Sequence, residues 1–152
     1  MNPGKRFEGK FHESIKHLPG ASMRIEDGGK YAFTRQWGDF FFFADSGDTF
    51  LFECKATQRT SFEHRKIADH QIETLKRFNG SHKLRHGVIA LNFYGENIRE
   101  KNECILIDIE TYLEHLESTD RESLSQVEAL RLGALMPHAP GNIWSVDPWA
   151  VI

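Results

Sequence analysis

Phe7, Phe11, Ile15 and Leu18 recur at steps of three and four residues behind an Asn-Pro-Gly entry, so the spacing predicts an amphipathic helix over residues 3–17 that stops near Pro19-Gly20. Residues 21–27 and 30–36, parted by Gly28-Gly29, read as a strand hairpin. The next segment, Asp39-Phe-Phe-Phe-Phe-Ala-Asp45, is too apolar for a strand with one wet face. After Ser46-Gly47-Asp48 it is followed by a second apolar run, Thr49 to Ala56. Together they predict a hairpin at the centre of a sheet covered on both sides. Residues 57–64 are polar and read as irregular, and residues 65–78 place Ile67, Leu75 and Phe78 on one helical face. Strands follow around 87–94 and 103–109, then a short helix from Thr111 and a second from Ser123. This order predicts an α/β domain over residues 1–133 with a central mixed sheet flanked by helices. Residues 134–152 hold three of the five prolines with Trp144 and Trp149 and read as an irregular tail. The two tryptophans are expected to anchor that tail by packing.

Composition narrows the class. A chain of 152 residues is enough for one domain with a sizeable core. No stretch approaches the roughly 20 apolar residues of a membrane helix, and the first residues have no apolar signal-like region. Cys54 and Cys104 sit singly inside apolar runs and read as reduced core thiols, so a cytoplasmic setting is expected. The net charge of −3 argues at first against a nucleic-acid partner, but its distribution is uneven: residues 1–52 are neutral, 53–86 carry +4 and 87–152 carry −7. Four of the eight histidines also fall in the basic segment, so a phosphate-binding face is expected there.

Side chains alternate along a strand, so Leu51, Glu53 and Lys55 share one face while Phe50, Phe52 and Cys54 share the other. If the hairpin closes through a three-residue loop at Asp45-Ser46-Gly47, with Gly47 left-handed, Ala44 pairs with Asp48 and Asp39 falls opposite Glu53. Two opposed carboxylates repel unless a cation lies between them. An all-oxygen carboxylate pair suits Mg²⁺ or Mn²⁺, which keep several waters and contact substrate phosphate. Lys55 then stands where it can orient water or balance charge in phosphodiester hydrolysis. Gln71 shares the apolar face of the 65–78 helix, and a buried amide there needs hydrogen-bond partners.

Four segments in order resemble the RecU-type Holliday-junction resolvases of the PD-(D/E)xK nuclease group, especially their shorter phage-encoded forms. They are Asn2-Pro-Gly-Lys-Arg-Phe-Glu8, Trp37-Gly-Asp39-Phe, Phe52-Glu53-Cys-Lys55-Ala-Thr57, and Thr60-Ser61-Phe62 followed by His70-Gln71-Ile72. The similarity extends more weakly through Gly87 to Phe93 and Asp120 to Leu124. It implies a restriction-endonuclease-like fold, a Mg²⁺-dependent (Mn²⁺-tolerant) DNA endonuclease, and a homodimer acting on branched junctions. It assigns metal binding to Asp39 and Glu53, catalysis to Lys55, and supporting roles to Glu8 and Gln71, with Glu13 as the fallback acid. The larger members carry a long basic stalk between the first helix and the aspartate strand; only about 20 residues separate Leu18 from Asp39 here.

Lys5, Arg6, Lys10, Thr57, Arg59, Arg65 and Lys66 are the expected DNA contacts, positioning the backbone without reading sequence. His82 and His86 have i, i+4 spacing but lack a matching acid or cysteine, and are not read as a zinc pair. Two alternatives remain: another DNA nuclease of the same group, and a catalytically silent DNA-binding module.

Overall fold

The computed structural model describes residues 2–25, 37–58, 60–95 and 102–152. Its centre is strand β3 (Thr49–Thr57), whose residues 50–54 are buried on both faces, as their near-continuous hydrophobicity requires. It lies in a six-stranded sheet of order β1-β2-β3-β5-β6-β8, with β1 Gly20–Arg24, β2 Phe40–Ala44, β5 Arg85–Phe93, β6 Glu103–Asp108 and β8 Ala134–Met136. Only the β3–β5 pair is parallel; the other neighbours are antiparallel, so the sheet is mixed. The expected α/β class with helices flanking a mixed sheet is therefore observed.

Even-numbered residues of β2 and β3 face one apolar layer. There Phe40, Phe42, Phe50 and Phe52 meet Phe7, Phe11 and Ile15 of helix α1 (Pro3–Ile15). Asn2 caps α1 by accepting from the Gly4 N–H at 2.8 Å, and Pro3 sits in the first turn, where no N–H is needed. Odd-numbered residues face a second layer made by α2 (Asp69–Ser81), α3 (Ile109–Ser118) and α4 (Gln126–Leu132), in which Leu51, Ile89 and Leu91 pack on Leu75, Phe78 and Tyr112. The β2–β3 turn has the expected form: Gly47 adopts φ +95°, and the Ala44 N–H donates to the Asp48 carbonyl at 2.9 Å. From there Phe43 pairs with Thr49 and Phe40 with Phe52.

Several boundaries differ from expectation. Residues 57–64 are not wholly irregular, because Ser61–Glu63 forms β4, which pairs with β7 (Ser123–Ser125). Consequently Ser123 opens a strand, and α4 starts three residues later behind the Ser125 cap, which accepts from the Glu128 N–H. Helix α2 begins at Asp69 rather than 65, because residues 64–66 form a single 3-10 turn. His82 ends α2 and His86 lies on β5, so they share no helix face. Residues 30–36, the second half of the first expected hairpin, lie outside the described residues.

Residues 134–152 were expected as an irregular tail, but their first three residues form sheet strand β8. A two-stranded ribbon of β9 (His138–Ala139) and β10 (Ile143–Trp144) follows, then a 3-10 turn at Pro148–Val151. The proline-rich composition hid a segment held by long-range aromatic contacts. Trp144 stands edge-on to Phe7 at 5.5 Å and its backbone N–H donates to Ser14 Oγ at 3.0 Å. Trp149 meets Phe50 edge-on at 5.3 Å and donates to Asp48 Oδ2 at 3.4 Å. No helix is long and apolar enough to cross a membrane.

Replacing Trp144 by Ala removes a side chain that is only 3% exposed and leaves the α1 layer with a void. The expected cost is about 3–5 kcal/mol. Urea unfolding with an unchanged m-value checks it.

Candidate active site

The second half of β3 leaves the sheet centre with Glu53 and Lys55 on the α2 side. Glu53 keeps only 5% of its side chain exposed, and Lys55 keeps 21%; Lys55 Nζ lies 3.2 Å from Glu53 Oε1. Gln71, in the first turn of α2, donates from Nε2 to the same oxygen at 2.7 Å. Its own Oε1 accepts the Ala68 N–H at 2.9 Å, satisfying an N-terminal helix donor that Ala68 has no side chain to serve. The amide is thus oriented at both ends, which explains a glutamine on an otherwise apolar helix face.

Asp39 stands immediately before β2. Its N–H donates to the Phe52 carbonyl at 2.9 Å, and its Oδ2 accepts the Cys54 N–H at 2.7 Å. Asp39 is thus pinned on either side of Glu53, by its backbone N–H at Phe52 and by its carboxylate at Cys54. Gly38 makes this approach possible: a Cβ there would lie 2.9 Å from Leu51 Cδ1 and 3.1 Å from the Phe52 carbonyl, and its φ of +155° disfavours other residues.

The two carboxyls hold protons unusually well. Burial, and then the Asp39 charge, push Glu53 up to about 7. Burial pushes Asp39 up to about 6, opposed by the Cys54 N–H and reinforced by the charge of Glu8. Glu8, on α1, acts on the pair through its charge and is held by Lys5 at 3.2 Å and Arg24 at 3.4 Å. The sequence reading missed Arg24; no local signal marks it, since β1 and α1 meet only in the fold. Glu13 is paired with Lys10 at 3.3 Å and is more than half exposed.

Among the described residues, no third His, Cys, Asp or Glu joins a cluster able to hold a metal ion. A donor set of two carboxylates is too small for a structural zinc site, which takes four protein ligands. It matches the one or two carboxylates through which Mg²⁺ is usually held. Asp39 and Glu53 are the residues that could hold such an ion, with Gln71 keeping the Glu53 carboxylate oriented.

The expected DNA contacts fare unevenly. Arg6 and Lys66 are exposed, whereas Lys5 and Lys10 are shared with Glu8 and Glu13. Arg65 is open to solvent but ion-paired with Glu63 two residues away. Thr57 is buried, with its hydroxyl donating to the Ser61 carbonyl at 3.3 Å, so the structure does not present it to a phosphate. Strand β3 runs longer than expected and carries Thr57 inside. Arg59 lies outside the described residues.

No protein-family model matches the sequence, and none of the curated proteins does. Among solved structures the fold is similar to that of Hjc, a Holliday junction resolvase from the archaeal hyperthermophile Archaeoglobus fulgidus. The TM-score is 0.58, with 16% identity over 86% of this chain and 93% of that one. At this identity the likeness is one of fold.

Because both carboxyls titrate above their unfolded values of 3.8 and 4.5, the native state retains protons that the unfolded chain has released. Without divalent cations, their contribution to stability falls as pH rises from about 4 to 7 and is flat above. Glu53→Gln keeps an acceptor for Gln71 and removes one charge. It is expected to be more stable than the parent at pH 8 and to decline less across this window, as read by urea unfolding at pH 5, 6.5 and 8 with chelator present.

Proposed function

We propose that this protein is a metal-dependent DNA endonuclease, and that its substrate is a four-way junction cut by a homodimer. The observation that carries the reading is the buried pair Asp39 and Glu53 with Lys55 beside it, on a fold similar to that of a junction resolvase. Two acids that burial and mutual repulsion keep partly protonated are a poor structural choice. They are a good one for a site whose third party is a cation.

In this reading Asp39 and Glu53 hold one or more Mg²⁺ ions, for which Mn²⁺ substitutes. The ion supplies Lewis-acid polarisation of the scissile phosphate and acidifies a bound water. The chain's own groups do the rest. Gln71 fixes one oxygen of Glu53 and leaves the other free. Lys55 presents an ammonium against the carboxylate, where it orients the attacking water and balances negative charge in the transition state. Glu8 adds the charge of an acid on α1, restrained by Lys5 and Arg24.

Junction preference and dimerisation follow from the geometry of the reaction. Two cuts in strands of like polarity call for two active sites related by a two-fold axis. With about 20 residues between Leu18 and Asp39, recognition relies on shape and phosphate spacing rather than on a long stalk.

Asp39→Ala or Glu53→Ala is expected to slow cleavage by ~10³ or more, roughly 4 kcal/mol of transition-state stabilisation, while DNA affinity survives. Lys55→Ala should be comparably slow yet still bind Mn²⁺ by calorimetry. Near-normal turnover of either acid variant in Mg²⁺ overturns the site.

Substrate choice is tested separately. Light scattering should give a dimer, and four-way DNA should out-compete three-way and linear DNA at one fixed salt concentration. A monomer indifferent to branching removes the junction and leaves the nuclease.

A further inference from the structure

An open cleft of about 360 Å³ lies on the same sheet face as Glu53 and Lys55, lined by Trp37, Phe41, Phe78, Ser81, Arg77 and Arg85. Its floor is aromatic: Phe41 and Phe78 have ring centroids 5.6 Å apart, and Phe43 stacks beyond Phe41 at 5.7 Å. Trp37 is 49% exposed and Phe43 43% exposed, which is costly for rings on a surface unless something covers them.

The rim is cationic. Arg77 and Arg85 are exposed, and neither pairs with a carboxylate among the described residues, although most other cations near the site do. Arg85 is steadied by Ser81, whose Oγ accepts from Nη1 at 3.0 Å. The position is also informative. Phe41 pairs with Leu51, two residues from Glu53 on one face, a strand length of about 7 Å. That is of the order of one nucleotide step in an extended strand. Trp37 lies two residues before Asp39, and Gly38 between them packs on Leu51.

We infer that this cleft is a subsite for one unpaired nucleotide of the DNA strand being cut, its base stacked against Trp37 and its phosphate held by Arg77 and Arg85. The inference rests on the nuclease reading above and adds what the substrate must offer. Aromatic faces beside guanidinium groups that no described carboxylate engages match the two chemistries of a single-stranded nucleotide, a π-face and an adjacent phosphate. A base inside an intact duplex has both faces covered by its neighbours and cannot enter. The subsite therefore favours DNA with nucleotides freed from pairing next to the scissile bond, as at a branch point.

Fluorescence anisotropy at fixed salt, with chelator present, would compare an oligothymidylate and a fully paired duplex on the intact protein, Trp37→Ala, Trp37→Phe and the Arg77→Ala/Arg85→Ala pair. Stacking on one aromatic ring corresponds to a loss of about 5- to 150-fold on truncation. Trp37→Ala should lose single-strand affinity within that range and leave duplex affinity unchanged, while Trp37→Phe keeps most of it. The double arginine variant should flatten the logarithmic salt slope for the single strand by about 0.7 per lost phosphate contact. Thermal melts establish that each variant folds, and both arginines are surface residues whose loss creates no cavity.

Single-strand affinity unaltered in Trp37→Ala and in the arginine pair overturns the subsite even if the protein cleaves DNA normally. A Trp37-dependent affinity in a protein that cleaves no DNA with Mn²⁺ keeps the subsite and overturns the nuclease. Failure of the intact protein to bind either DNA overturns both. If Trp37→Ala instead converts a dimer to a monomer by light scattering, the face belongs to a second copy of the chain and the subsite is overturned.

Discussion

The desolvation of Glu53 is the constraint on which the architecture of the site depends. A strand covered on both sides has no natural place for an ionised side chain, and a carboxylate taken out of water must be compensated or neutralised. Here the compensation comes from the lysine two residues along the same strand and from an amide of α2, while burial and the charge of Asp39 push the carboxyl toward its neutral form. Each partner is in turn held by something unrelated to chemistry. Gln71 is oriented because the start of α2 needs an acceptor for the Ala68 N–H, and Asp39 because its carboxylate takes the place of a strand carbonyl opposite Cys54. The site is stiff because its members also complete the secondary structure.

That arrangement explains how the two sides of the sheet divide their duties. The even-numbered face of β2 and β3 is closed by α1 and the C-terminal segment and is almost wholly aromatic. The opposite face is covered by helices only from β3 onward. Toward β1 and β2 no described helix covers it, and the exposed rings lie there beside two arginines that pair with no carboxylate among the described residues. Burial on one side fixes the register of the hairpin, since a slip of one residue would send four phenylalanines to the wrong faces. With the register fixed, the acidic pair is fixed as well.

Much of this was legible beforehand, for identifiable reasons. The alternation from Leu51 to Lys55 and the Asp-Ser-Gly loop determine face and register locally, so the hairpin turn, the Glu53–Lys55 pairing and the neighbourhood of Asp39 follow from short-range rules. The odd glutamine on α2 was conspicuous because buried amides require partners. What escaped notice depends on contacts distant in sequence. Arg24 meets Glu8 only because β1 packs beside α1, and Thr57 is buried because β3 runs one residue further than its apolar stretch. The strand at Ser123 exists only because β4 is there to pair with it. The C-terminal prolines mimic a loop, while Trp144 and Trp149 do the holding.

The bond between Ser14 and Trp144 joins residues 130 positions apart. During synthesis the first helix emerges with an apolar stripe that β2 and β3 cover only in part, and its remaining partner follows 130 residues later. Contacts of such high sequence separation close late in folding, because the entropy of the intervening loop must be overcome first. Glu8 rides on that helix. The acid whose charge pushes both Asp39 and Glu53 up is therefore firmly seated only after Trp144 has joined the fold, and a chain cut before that residue holds its sheet acids beside a first helix that lacks part of its cover.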